Sequence, residues 1–272
     1  MKLYLLLLTI LISSFVWADS ISYENNVLND NPVGYWKLDE GNGTNANDAS
    51  GQGHTGVYHN VAFSNSGPFA DSNSSIQISS SNSSYVNISE AGNTSLDVSY
   101  ITMEAWINPA QYSVSHDRGM VINKEDCWEF GLEDNSGKVQ SALYTSSWAW
   151  RGNHSVSLNS WSHVVITFDG NRVRHYVNGN LVDWYDYSGT LAQRDTDLKI
   201  GARGGDSVGS SYFEGGIAQV AIYDYALSGT QIQNHYTAAS GITTGTIPEL
   251  NTLTFLLCIF GFAGIFKRFC SK

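Results

Sequence analysis

Two aromatic clusters carry residue types suited to holding a sugar. Trp148-Ala149-Trp150-Arg151 and Trp184-Tyr185-Asp186-Tyr187 set flat apolar rings beside charged and hydroxyl groups. Sugars stack their C–H faces on rings, and their hydroxyls need donors and acceptors close by, the mixed lining of a ligand site. Trp148, Trp150, Arg151, Trp184, Tyr185 and Asp186 are therefore the candidate ligand-binding residues. Trp148 and Trp150 stand two apart, so on a strand they share a face. The alternative is that these rings cap one end of the fold.

A cation site is the second candidate. Calcium takes several oxygens, mixing carboxylates with backbone carbonyls. Asp48 opens the turn Asp48-Ala49-Ser50-Gly51-Gln52-Gly53-His54, which can aim carbonyls inward. Asp48 is the one candidate metal ligand, for a structural calcium. The alternative is that its carboxylate hydrogen-bonds its own turn.

Hydrolysis of a glycan needs two carboxylates at close range. Glu125 and Glu129 share a face if this segment is a strand, but Cys127 stands between them. The chain has no zinc-type His cluster, no Gly-x-Ser-x-Gly elbow and no phosphate-binding Gly loop. No catalytic residue is assigned, and the chain is expected not to be an enzyme. Of three cysteines, Cys258 and Cys270 lie near the C-terminus. That leaves Cys127 without a disulfide partner in the body, as a small buried hydrophobe. His175, one imidazole without a partner, reads as structural.

The elements that must position these residues read as strands. Alternating runs separated by Ser, Asn and Gly recur, the pattern of a sandwich or barrel. Ser75–Ser79, Ser84–Ile88 and Ile101–Ile107 are three of them. Asp169-Gly170-Asn171 and Asn178-Gly179 are tight-turn sequences, so Trp161 to Trp184 is predicted to be a three-strand meander. Ser228 and Gln231 have capping-box spacing. A helix is predicted from Gly229 to Ala238, as the one substantial helix of the body. Trp36, Trp106 and Trp161 are expected in the core.

The chain has 272 residues, with 14 Lys and Arg against 25 Asp and Glu, a net charge of −11. Phosphate backbones repel such a surface, which argues against nucleic acid as a partner. Lys2, the apolar run Leu3–Ile12 and the small residues up to Ala18 follow the order of a secretory signal, residues 1–18. A body over residues 19–239 follows, then a linker over 240–249. Leu250–Phe266 is apolar apart from Asn251, Thr252 and Thr254, and Lys267, Arg268 and Lys272 follow it. Residues 250–272 are thus expected to be a membrane helix with a basic cytoplasmic end.

Five segments together carry a family likeness: Asn31–Tyr58, ITMEAWINP, WSHVVITFDGNRVRHYVNG, Leu198–Ala202 and Tyr212–Ile232. The body resembles the laminin-G-like, concanavalin-A-like jelly-roll domains. The resemblance implies an all-β, two-sheet antiparallel sandwich that binds a glycan or a protein partner. It also implies a structural calcium near Asp48, helped by an acid in the closing strand. Here that strand reads Ile217-Ala218-Gln219-Val220, and Ala218 supplies no side-chain oxygen. The C-terminal segment resembles a PEP-CTERM sorting tail through Ile247-Pro248-Glu249, the apolar stretch with Gly261, Ala263 and Gly264, and Lys267-Arg268. That likeness implies export and processing by an exosortase-type enzyme, with Pro248 and Glu249 as sorting residues. The sequence as a whole reads as an exported, membrane-anchored binding module for extracellular polysaccharide or a surface partner. A structural matrix protein and a glycoside hydrolase are the other readings.

Overall fold

The structure is a computed structural model that describes residues 20–64, 66–69, 74–90, 92, 94–112, 118–204 and 211–240. The expected signal and the sorting and membrane segments lie outside the described residues. Among the described residues, no helix is long and apolar enough to cross a membrane.

Among the described residues, sixteen strands form two eight-stranded sheets. The first sheet contains β1 (Gly34–Trp36), β4 (Ala62–Ser64), β5 (Ser75–Ile78), β7 (Ile101–Pro109), β12 (Ser162–Phe168), β13 (Arg172–Val177), β14 (Asn180–Asp186) and β16 (Gly215–Tyr223). Its order is β14-β13-β12-β7-β16-β5-β4, with β1 also paired to β16. The second contains β2 (Asn45–Ala46), β3 (Gly56–His59), β6 (Tyr85–Ile88), β8 (Arg118–Lys124), β9 (Trp128–Glu133), β10 (Lys138–Leu143), β11 (Arg151–Ser155) and β15 (Leu198–Ile200). Its order is β11-β10-β9-β8-β15-β6-β3-β2. All pairings between these strands are antiparallel, so the fold is the expected all-β sandwich.

Alternation explains the layers. Met103, Ala105 and Ile107 of β7 and Val164, Ile166 and Phe168 of β12 meet Trp128, Phe130 and Leu132 of β9 between the sheets. Apolar area leaving water drives this contact. The opposite face of the first sheet is also covered. There α1 (Ser20–Asn29) and α2 (Gly229–Ser240) lie over Trp106, Val165, Ala218 and Tyr223.

The helix α1 corrects the expectation of one body helix. Its only buried side chains are Tyr23 and Val27, four apart, too narrow a stripe to read as an amphipathic helix. For α2 the capping box forms as expected. Gln231 N–H donates to Ser228 Oγ at 3.3 Å, and Ser228 N–H to Gln231 Oε1 at 3.0 Å. Trp36 is fully buried between the sheets, its Nε1 donating to the His54 carbonyl at 2.7 Å. Trp106 is buried instead in the layer beneath the helices, and Trp161 is half-buried at its margin.

Two buried polar clusters tie the layers together. Glu104 of β7 accepts from Tyr23 at 2.7 Å, His163 Nε2 at 2.7 Å, Tyr223 at 3.2 Å and His235 Nδ1 at 3.1 Å. Burial pushes this carboxyl up, but the His235 charge and the histidine hydrogen bonds outweigh it and hold it well below the usual range. In the other cluster the fully buried Lys124 ammonium meets Glu90, Asp97 at 3.1 Å and the carbonyls of Arg194 at 2.5 Å and Thr196 at 3.2 Å.

Candidate functional site

The last strand of each sheet path, β11 and β14, run side by side at one margin of the sandwich. The segment between β10 and β11 carries Trp148 and Trp150. These two tryptophans lie before β11 and not on a strand, so their spacing does not by itself set a shared face. They are half-buried and held in different ways. Trp148 packs on Tyr144 with ring centroids 5.4 Å apart. Trp150 lies under the Arg118 guanidinium, 4.2 Å from its carbon to the ring centre.

This segment is braced. Tyr144 N–H donates to the Cys127 carbonyl at 2.9 Å, and Ala192 N–H to the Tyr144 carbonyl at 2.8 Å. Tyr187 O–H reaches the carbonyls of Leu143 at 2.8 Å and Ser147 at 2.9 Å. Rings held this way keep their geometry before a ligand arrives, which lowers the entropy lost on binding.

Arg151 opens β11 and is exposed. Its guanidinium stands 4.9 Å from the centre of the Tyr185 ring on β14. Gly152 makes this approach possible. Its φ is +138°, and a Cβ there would stand 2.1 Å from the Val139 carbonyl oxygen and 2.7 Å from His175 Cε1. Burial pushes His175 down to about 4, so it is neutral at neutral pH, and its Nε2 lies 2.9 Å from Ser141 Oγ. That is the structural role expected for it.

A bulge decides which way the β14 aromatics point. Tyr176 pairs with Leu181 but His175 pairs with Asp183, leaving Val182 as the extra residue. Beyond it, Tyr185 opposes the core residue Val173, and Trp184 opposes Arg174. Tyr185 therefore turns toward the margin between the sheets, while Trp184 faces outward and is 51% exposed. Arg172 lies 4.2 Å from the Trp184 ring and donates through Nε to Asp186 at 2.8 Å.

The structure thus brings Trp148, Trp150, Arg151 and Tyr185 to one margin. It sets Trp184 and Asp186 on the other face of β14, engaged by Arg172. Sequence reasoning missed Arg118, Arg172 and Tyr144, whose approach depends on strand register and not on chain proximity.

Asp48 is fully engaged by donors. Its Oδ1 accepts from the N–H of Tyr35 at 3.0 Å and of Ser50 at 2.9 Å, and from Ser50 O–H at 2.6 Å. Its Oδ2 accepts from His54 N–H at 2.9 Å. Burial pushes this carboxyl up, and these hydrogen bonds, led by Ser50, bring it below its ordinary value. These N–H groups compete with a cation for the lone pairs of the carboxylate. Among the described residues, no group of three or more His, Cys, Asp or Glu side chains is placed to hold a metal.

Glu125 and Glu129 also need a correction. Residues 125–127 form the turn between β8 and β9, so the two acids do not share a strand. They come together across the hairpin. Asn123 Nδ2 donates to Glu129 at 2.5 Å and to Glu125 at 3.2 Å, and Arg203 lies 3.4 Å from both carboxylates. Burial raises Glu129 to about 7 against the opposing charge of Arg203.

A family model described as the concanavalin A-like lectin/glucanases superfamily matches residues 80–233. The chain belongs to that superfamily. Among curated proteins, none matches it. Solved structures with this sandwich include domain 4 of an extracellular arabinanase from Geobacillus stearothermophilus, in complex with arabinotriose. It is 14% identical with a TM-score of 0.59, over 75% of this chain and 98% of that one. The binding domain of Paraclostridial mosquitocidal protein 1 is 18% identical with a TM-score of 0.61, over 78% of this chain and 53% of that one. A third is from botulinum neurotoxin type C, whose cell entry is dependent upon interaction with two ganglioside molecules. It is 14% identical with a TM-score of 0.55, over 79% of this chain and 53% of that one. The chain spans nearly all of the arabinanase domain and about half the length of the toxin chains. At these identities the likeness shows the shared sandwich of the concanavalin A-like superfamily.

Proposed function

We propose that this protein is a non-catalytic binding module for extracellular polysaccharide, and that the margin between β11 and β14 is its binding site. The observation that carries the reading is the braced segment holding Trp148 and Trp150 half out of the core beside the exposed Arg151. Large rings fixed at a surface, next to a planar donor, offer stacking and directional hydrogen bonds together. Related sandwiches support it, since one holds arabinotriose and another belongs to a toxin that uses gangliosides.

A binding role without turnover is supported by how the close acids Glu125 and Glu129 are held. Glu125 and Glu129 are cross-braced by Asn123 and Arg203, so both are engaged within the fold. Export and a membrane tether complete the proposal. They rest on the signal-like residues 1–18 and the apolar stretch Leu250–Phe266, with Pro248 and Glu249 presented to an exosortase-type enzyme.

The test is retention of the protein on a panel of immobilised polysaccharides, with wild type compared to a Trp148→Ala, Trp150→Ala double variant. Saturable retention of wild type, lost in a variant whose Tm is within a few degrees, supports the reading. Binding unchanged in the double variant places the site elsewhere. No retention on any polymer favours the structural-matrix reading instead.

A further inference from the structure

We infer that the polysaccharide bound at this margin is anionic, and that Arg151 is the residue that recognises its acid groups. The inference rests on the binding role proposed above and adds the charge class of the ligand.

Charge is distributed unevenly along this chain. It carries 25 Asp and Glu, yet none falls between Asn135 and Phe168. That stretch contains β10, the tryptophan segment and β11, together with Lys138, Arg151 and the exposed His154. The β10–β11 side of the candidate site is therefore free of acids of its own, on a protein of net charge −11.

Arg151 is also one of the exposed cations whose charge stays available, Arg194 being another. Arg172 pairs with Asp186 at 2.7 Å, Arg174 with Asp169 at 2.7 Å, and Arg203 with Glu125 and Glu129 at 3.4 Å. Among the described residues, Arg151 takes part in no ion pair. The facing strand β14 brings two acids, each with a donor of its own. Asp186 binds Arg172, and Asp183 accepts from the Trp184 N–H at 2.8 Å.

The chemistry follows from how Arg151 is held. A guanidinium stacked over a ring keeps its N–H donors at the edge of its plane. That edge is a fork matched to a carboxylate or another oxyanion. Trp150 and Trp148 lie one and three residues away in the chain, within reach of the sugar that bears such a group. A uronate carboxylate and a sulfate ester share this chemistry. A neutral sugar can accept hydrogen bonds from this fork, but only an acid group also uses its charge.

Overall charge makes the test sharp. A chain of net charge −11 repels an acidic polymer, so a preference for acid must arise from a local contact. The experiment measures binding of the full chain to matched polymers at low salt. Polygalacturonate is compared with its methyl-esterified form, which keeps the backbone and loses the charge, and dextran sulfate with dextran.

Tighter binding to the charged member of either pair, by roughly tenfold or more, is expected, weakening as salt screens the contact. Arg151→Gln should remove the preference, and Arg151→Lys should restore part of it. The charged member that wins tells a carboxylate from a sulfate. Equal binding of charged and neutral partners overturns the inference while leaving the polysaccharide reading intact. An acid preference unchanged in Arg151→Gln overturns it as well. No binding to any polymer overturns both.

Discussion

The Arg151 guanidinium lies 4.9 Å from the centre of the Tyr185 ring, and the two residues belong to different sheets. Their contact closes the margin where the last strands of both sheets meet. It depends on Gly152, whose missing side chain lets β11 approach β10 and His175. Gly152→Ala should therefore cost about 2 kcal/mol or more, because φ near +138° and a 2.1 Å clash both oppose a Cβ. Urea unfolding measures this. A stability equal to wild type would show that the margin adapts freely.

Lys124 is a buried cation among four oxygens, two of them from Glu90 and Asp97. Removing one partner of a buried pair leaves the other charge without compensation. Lys124→Met should destabilise the protein by about 3–5 kcal/mol. A loss below about 1 kcal/mol by urea unfolding would mean that the cluster repacks or hydrates.

His235 gives stability a pH dependence of defined sign. Its Nδ1 faces Glu104 at 3.1 Å and its Nε2 faces Asp30 at 3.0 Å, so both nitrogens must carry protons. Burial lowers its pKa, but Glu104 and Asp30 outweigh burial and raise it above 6.5. Tyr23 and Tyr223 complete its surroundings, and His163 shares Glu104. A raised folded pKa means the contribution is complete below the unfolded value and fades as pH climbs through the folded one. The Tm gap between wild type and His235→Gln should thus be widest below about pH 6.5 and narrow above it. A gap that grows with pH would contradict the assignment.

At Asp48, four donors satisfy the carboxylate without a metal. Adding calcium or a chelator should leave the Tm unchanged, whereas Asp48→Ala should cost about 1–3 kcal/mol through its unpaired N–H groups. A calcium-dependent rise in Tm would show that a metal displaces these donors.

Much of the sandwich was legible because alternation reports which face is buried. Val164, Ile166 and Phe168, or Val173 and Val177, point inward as their spacing requires. The meander was legible from Asn178-Gly179, but the direction of its last side chains was not. Counted from that turn, Trp184 would oppose Val173 and face the core. The extra Val182 shifts the pairing by one, and such a slip exchanges the faces of every residue beyond it. The role of Tyr185 at the margin, and the capture of Trp184 by Arg172, follow from that one residue. Helix α1 escaped because Tyr23 and Val27 alone mark its buried side. Glu104 escaped because its partners come from β12, β16 and both helices, far apart in sequence.

Hydrogen–deuterium exchange of the protein with and without a bound acidic oligosaccharide tests the central claim most directly. Slowed exchange concentrated in residues 144–155 and 181–187 is the result expected if the β11–β14 margin holds the sugar. Protection confined to the cross-strand neighbours Asn87 of β6, Lys199 of β15 and Asn123 of β8, with the margin unchanged, would contradict it.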